Sequence, residues 1–421
     1  MRWAAFLVSL CWMMPCWAST QVITGLNVAT DATTTTYNSI FGGGFTMDAD
    51  ELDRTIPIGA AGTFLSLKVW LSAVPDNGAG SDTYDFTLRV NSAGTALTCQ
   101  TAERVINCQV TANVAVAAND LVCVEVVPAN TPAVVSVQWV LTFSPTVDGE
   151  NIYGAGTGSN ALTASGTRFL IPQTFCLTTV ATEAGTEFMM PTGGTVDDLY
   201  VVLDAAPDNG AGVDRYGFTI RLCNPNCADT LLTLNIDDLD TTGSNSTGIN
   251  FKAGDRLGLE VTPSNTPAAV GAQWGFVIRP ADPEDFILGA SPNNNLSTTT
   301  EYTSIQGRDA WTTTESDVDG RGETMLLKSM YVRLNGAPGA GTSYTLTARS
   351  NAKNTPLAVS ILDTQTQVNN TALHWIDSGN ELSIRSTVTG TPTARMPIIS
   401  ILATVVADRW QGATLQGATL Q

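Results

Sequence analysis

Two loops of the chain carry residue types that could hold a hard cation. Residues 76–82 read DNGAGSD and residues 208–214 read DNGAGVD, so Asp76, Asn77 and Asp82 recur as Asp208, Asn209 and Asp214. Carboxylate and amide oxygens in a flexible loop suit Ca²⁺, which gathers oxygen ligands without strict geometry. The simpler account is turn chemistry: proline fixes the entry, while asparagine and glycine tolerate positive φ. No glutamate closes the loop as in an EF-hand, and a third, eroded copy (APGAGTSYTLTAR, 337–349) has lost every aspartate. Calcium is therefore the alternative expectation and turn formation the first.

Other candidates for chemistry are thin. His374, in ALHWIDSG, is the single histidine; a triad or a histidine-based zinc site would have to be built on it, and no Gly-x-Ser-x-Gly elbow is present. It reads as an ordinary strand residue. The run GAGTGS at 154–159 imitates a nucleotide loop but lacks a strand–helix unit around it, and is expected to be a surface loop. Asp237, Asp238 and Asp240 could mimic a glycosidase pair, yet the other copies have no counterpart, so solvated loop acids are expected. Arg89, Arg221 and Arg349 recur on the outer side of one strand, where Glu125 or Glu260 can pair with them. No cofactor and no catalytic activity are expected.

The cysteines are more telling. Six of the eight lie beyond residue 18, an even number that favours disulfides in an exported chain. Cys99 and Cys108 flank a hairpin-like segment, and Cys223 and Cys227 bracket a tight turn. Cys123 alternates against Val122, Val124 and Val126, so it is expected to face outward and to reach Cys176 of the following unit.

The elements that position these residues are repeated. Tyr84, Tyr216 and Tyr344 align, 132 and 128 residues apart, and Trp139 and Trp274 end the matching segments PANTPAVVSVQW and PSNTPAAVGAQW. The chain divides into residues 1–18, units at 19–146, 147–282 and 283–409, and a tail at 410–421 in which GATLQ occurs twice. In Tyr84-Asp85-Phe86-Thr87-Leu88 the apolar residues alternate with polar ones, the mark of a strand with one wet face. Thr, Val and Ile abound between glycine-rich turns. The expectation is an all-β protein of three tandem antiparallel β-sandwiches, jelly-roll-like because some 130 residues exceed an immunoglobulin domain. Units of that length should behave as independent beads.

Bulk composition narrows the partners. With 39 acidic and 20 basic residues, the net charge is −19, which disfavours nucleic acid and anionic membrane surfaces. Arg2, the apolar run 3–14 and the stretch Cys16-Trp17-Ala18 read as a secretory signal cut after Ala18, with a lipoprotein signal at Cys16 as the rival. Beyond it no stretch of 18 consecutive apolar residues offers a membrane span.

The signature PGAG-x-SYT-x-T-x-R, followed by V-x-P-x-x-TPA and QW, resembles repeats of uncharacterised secreted bacterial and phage-virion surface proteins. The resemblance implies a surface or assembly role and brings no catalytic residues. Three function classes follow. The first is an extracellular structural or adhesive protein that self-associates or binds other surface proteins, with the doubled GATLQ tail or the segment Gln21–Thr24 as an added strand. The second is a secreted carbohydrate-binding array, which would need aromatic platforms repeated in each unit. A hydrolase is the weakest, for want of a nucleophile and base.

Overall fold

The computed structural model describes residues 19–41, 46–78, 80–173, 179–210, 212–292, 294–307 and 310–406. The signal-like segment, the doubled tail and Cys176 lie outside these residues. Among the described residues, helix is limited to two 3-10 turns, Leu52–Arg54 and Glu315–Asp317. No helix is long and apolar enough to cross a membrane.

The first unit shows the plan. Its strands are β1 (Gln21–Ala29), β2 (Thr36–Asn38), β3 (Ile56–Pro57), β4 (Gly62–Leu71), β5 (Thr83–Val90), β6 (Ala93–Thr101), β7 (Asn107–Val116), β8 (Leu121–Ala129) and β9 (Ser136–Pro145). One sheet runs β1-β9-β4-β7 and the other β2-β8-β5-β6, with β3 added beside β8; every pairing is antiparallel. Two four-stranded sheets in this order are a jelly roll. The same order recurs in strands drawn from Asn151–Pro280 and again from Asp285–Val405, so the fold is three tandem jelly-roll sandwiches.

Period-two alternation explains the sheets. Tyr84, Phe86 and Leu88 of β5 and Val122, Val124 and Val126 of β8 are fully buried, as are Tyr216, Phe218, Ile220 and Leu257, Leu259 of the second unit. Each tyrosine ties its strand to the loop before the last strand: the hydroxyls of Tyr84, Tyr216 and Tyr344 donate to the carbonyls of Ala133, Ala268 and Thr393 at 3.0, 3.0 and 3.1 Å. The two tryptophans serve as core plugs. Trp139 and Trp274 are wholly buried, and their indole N–H groups donate to Ile40 and Pro172 carbonyls. Gly25 faces Trp139 because a Cβ there would sit 1.9 Å from the indole ring. The run 154–159 is not a surface loop: Gly154–Gly156 completes a buried strand, since the repeat needs its first strand there.

Among the described residues two disulfides are formed. Cys99–Cys108 (Cα–Cα 5.8 Å) joins β6 to β7 and so clamps the two sheets at their open edge, and Cys223–Cys227 closes a hairpin turn in the second unit. Replacing Cys99 and Cys108 by alanine should lower the stability of the first unit by about 3 kcal/mol, from the entropy of the closed loop. Urea titrations of both forms would measure it; an unchanged midpoint would show that the clamp is idle.

The units are not independent beads. They close into a three-membered ring in which each packs on both others. Positions three residues before the partner of Trp139, Trp274 and Ile399 are Val22, Ile152 and Ile287. Each of these three side chains lies in the core of a neighbour: Val22 in that of the third unit, Ile152 in that of the first, Ile287 in that of the second. The short strand before the fourth in each unit packs the opposite way around. Pro57 and Gly59 lie on Gly275 and Phe276 of unit two, Phe188 lies on Gly289 of unit three, and Arg321 lies on Gln138 and Trp70 of unit one. The units are alike enough that one contact, used three times, closes on itself.

Candidate functional site

On the outer face of the second sheet of each unit, one arginine gathers a cluster. Arg89 pairs with Glu51 at 2.8 Å and with Glu125 at 3.0 Å, and its guanidinium lies 5.7 Å from the centre of the Tyr37 ring. Arg221 does the same with Glu183 (2.7 Å), Glu260 (2.7 Å) and Phe169 (5.7 Å), adding Asp229. Arg349 pairs with Glu315 at 2.6 Å and stacks at 5.6 Å on Tyr302, but Arg385 replaces the second acid, so Asn354 takes the remaining donor. Outer-face pairing of the three arginines, including Glu125 and Glu260, was legible from alternation.

The glutamates Glu51, Glu183 and Glu315 were not. They come from irregular segments, and their signal is spacing alone: 132 residues apart, each five residues before the short strand at 56, 188 and 320. Arg89 and Arg349 each hold their glutamate through two N–H groups on its two oxygens, the strong form of an arginine–carboxylate contact. The hydrogen bonds that Arg89 and Arg349 donate to Glu51 and Glu315 raise the pKa values of the two arginines further. Burial raises the Glu315 carboxyl, but hydrogen bonds from Arg349 and Ser383 outweigh it and leave it below the ordinary range. Each arginine thus joins a loop, two strands and a ring face. These are rivets with their donors spent on the fold.

Cys123 sits under the first rivet. It is on the outer side of β8, as alternation predicts, but it is not exposed: Glu51 and Arg89 roof it over completely. Its Sγ lies 3.7 Å from Glu51 Oε1, and burial, foremost, keeps the thiol protonated far above its usual range. The corresponding positions hold Gly258, with Glu183 against it, and Ser383, whose hydroxyl donates to Glu315 at 2.6 Å. The outward orientation holds, while the loop carrying Glu51 folds over the thiol; its expected partner Cys176 lies outside the described residues.

Replacing Arg349 by leucine should cost about 3 kcal/mol, since Glu315 would be left partly buried without its cation. A second change, Glu315→Gln, should recover part of that loss. Denaturant midpoints of the two variants decide it, and equal midpoints for Arg349→Leu and the parent would contradict the role.

The DNGAG loops are built as turns. Asp76 and Asp208 each accept the N–H two residues on, from Gly78 and Gly210, at 2.7 Å. Asp82 and Asp214 are fully buried and accept the N–H of Asn77 and Asn209 at 2.9 Å. The amides of Asn77 and Asn209 donate to the carbonyls of Thr131 and Thr266, binding this loop to the one that precedes the last strand. Among the described residues, Asp82 Oδ1 and Asp214 Oδ1 find no hydrogen-bond partner. Among the described residues, the acids and thiols close enough to share an ion are Glu183, Cys223 and Cys227, and there the two sulfurs are bonded to each other.

The remaining candidates are placed simply. His374 lies in a short strand beside Leu327, and burial lowers its pKa. Asp237 pairs with Arg215 at 2.6 Å, and Asp238 accepts the N–H of Asp214. An open cleft of about 400 Å³ between units one and two is lined by Gly59, Asn119, Asp198 and Asn245 among others, with Asp198 its one charged group.

No protein-family model and no curated protein matches the chain. Among solved structures it is similar to a chain of the T13 IBDV viral particle, at 9% identity and a TM-score of 0.14, over 92% of this chain and 78% of that one. A TM-score that low carries no argument about fold or role.

Proposed function

We propose that the chain is a non-catalytic extracellular structural or adhesive protein, a subunit of a surface layer, filament or virion-like appendage. The observation that carries this reading is the ring: three jelly rolls in one chain spend their repeated charged and aromatic clusters on holding sheets and units together. The two disulfides among the described residues suit an oxidising exterior. The resemblance of the repeat to secreted and virion-type surface proteins points the same way.

The carbohydrate-binding reading has less support. Trp139 and Trp274 are core plugs and Trp70 lies under Arg321, whereas Trp375, 55% exposed, has no aligned partner among the described residues. Negative-stain microscopy of the concentrated, purified protein tests the choice. Ordered polymers or sheets are expected; single particles that bind a glycan array would overturn the structural reading.

A further inference from the structure

The chain crosses two of the ring's three interfaces, through residues 146–150 and 281–284, but not the third, between units three and one. That seam also differs in chemistry. At equivalent positions unit one presents Phe41 and Ile56-Pro57 to its neighbour, and unit two presents Gln173 and Phe188-Met189. Those positions pack apolar groups, beside buried hydrogen bonds of Gln21 with Ile152 and of Tyr153 with Ile287: Phe41 stacks with Tyr153 at 6.2 Å, and Phe188 packs against the backbone of Gly289. Unit three instead presents Gln306 and Gly320-Arg321.

Around the apolar Val22 and Val140, which reach into the core of unit three, the seam is held by polar and charged groups. Gln306 accepts from both the N–H and the hydroxyl of Thr24, at 3.1 and 2.8 Å. Lys68 meets Glu323 at 2.5 Å and Ser378 at 2.9 Å. Arg321 donates to Gln138 at 2.9 Å and lies 5.8 Å from the Trp70 ring centre, and the Gln138 amide donates to the Asp319 carbonyl. Polar interfaces of this kind are the ones that part and re-form, whereas apolar ones resemble a core cut in half.

We infer that the ring opens at the seam between units three and one, and that the two faces so freed bind the complementary faces of a second copy of this chain. The inference deepens the structural reading above by naming the contact. The geometry requires it to be heterologous: the unit-one face of any copy fits the unit-three face of any other as well as its own. Tethering through two units gives the internal contact the advantage of a high effective concentration, so closed rings should dominate in dilute solution and joined chains at high concentration.

Charge exchange across the seam tests this. The variant K68E/Q138R should repel its own unit three, and R321E/E323K should repel its own unit one. Each alone should remain at the mass of one chain in light scattering. Mixed in equal amounts they should at least double the average mass, because every contact between unlike chains is then complementary or native. All four changes in one chain should restore the closed ring and its native elution. A mixture that stays at single-chain mass would overturn the inference, as would single variants that associate as strongly as the mixture. A disulfide from Thr24→Cys with Gln306→Cys gives a second reading. The locked ring should lose the concentration-dependent association of the parent and regain it on reduction. Polymers that persist when locked would sink the seam and leave the structural role standing, whereas a parent chain that never polymerises would sink that role.

Discussion

Replacing Gly275 by valine should break the contact between units one and two and cost about 3 kcal/mol or more. Gly275 lies in the last strand of unit two, on the sheet face that receives unit one. A Cβ there would come within 1.8 Å of the Pro57 carbonyl oxygen and 2.8 Å of its carbon. Both atoms are backbone, so no side-chain rotation relieves the clash, and overpacking of this kind commonly costs 1–3 kcal/mol within a core. Here the relief available is separation of the two units, which would also expose Gly59, Ile152 and Val277. The measurable result is faster protease cleavage within residues 146–150 and a lower unfolding midpoint. Gly94→Ala is the matched control: its added Cβ would meet Thr87 Cγ2 at 3.6 Å, an ordinary contact. Equal cleavage rates for the two variants would show that the interface is not held at Gly275.

The positions equivalent to Gly275 show how one contact was adapted three times. Val140 stands there in unit one and Ser400 in unit three. Val140 lies in the core cluster of unit three, against the seam, where the facing strand is Gly320-Arg321 and leaves room. Small and large residues thus oppose each other within each of these two interfaces, as close packing demands.

That adaptation marks the boundary of what could be read from the residues in order. The sandwiches were legible because alternation in Tyr84–Leu88 and Val122–Val126 is a local pattern with one interpretation. The number of units was legible because the tyrosine turn and the tryptophan strand recur. The ring was not, since Val22, Ile152 and Ile287 are apolar residues of ordinary strands, and sequence does not distinguish packing into one's own unit from packing into the next. The same limit hid Glu51, Glu183 and Glu315. Their partners were found from the alternation of a strand, but they themselves sit in loops or at the start of short 3-10 turns of differing composition, and only the constant offset to a two-residue strand unites them. The covered thiol at Cys123 follows from that omission: without Glu51 in view, an outward-facing residue reads as exposed.

Asp319→Asn should abolish a pH dependence located at the seam. Asp319 is 9% exposed, and its carboxyl is pushed from 3.8 up to about 7, first by burial and then by Glu381 and Glu315, against the opposing pull of Arg321 and Arg349. A carboxyl whose folded pKa is raised favours the native state when protonated. Its contribution is therefore most favourable below about pH 4 and is lost progressively as the pH rises to about 7. Above that, the buried carboxylate destabilises the fold by about 4 kcal/mol at the outside, the free-energy equivalent of moving its pKa from 3.8 to about 7. Asn keeps the shape of the neutral acid and cannot ionise. The variant should match the parent at pH 4, exceed it at pH 8, and lack the decline between. The backbone of Asp319 accepts the Gln138 amide from unit one, and Arg321 two residues on reaches both Gln138 and Trp70, so the strain of ionisation falls on the seam itself. Parent rings should consequently open, and join at a given concentration, more readily at pH 8 than at pH 5, while rings of the variant behave alike at both. Denaturant titrations and light scattering across that range read the two effects separately. A variant whose stability falls with pH as steeply as the parent's would place the titration on another group.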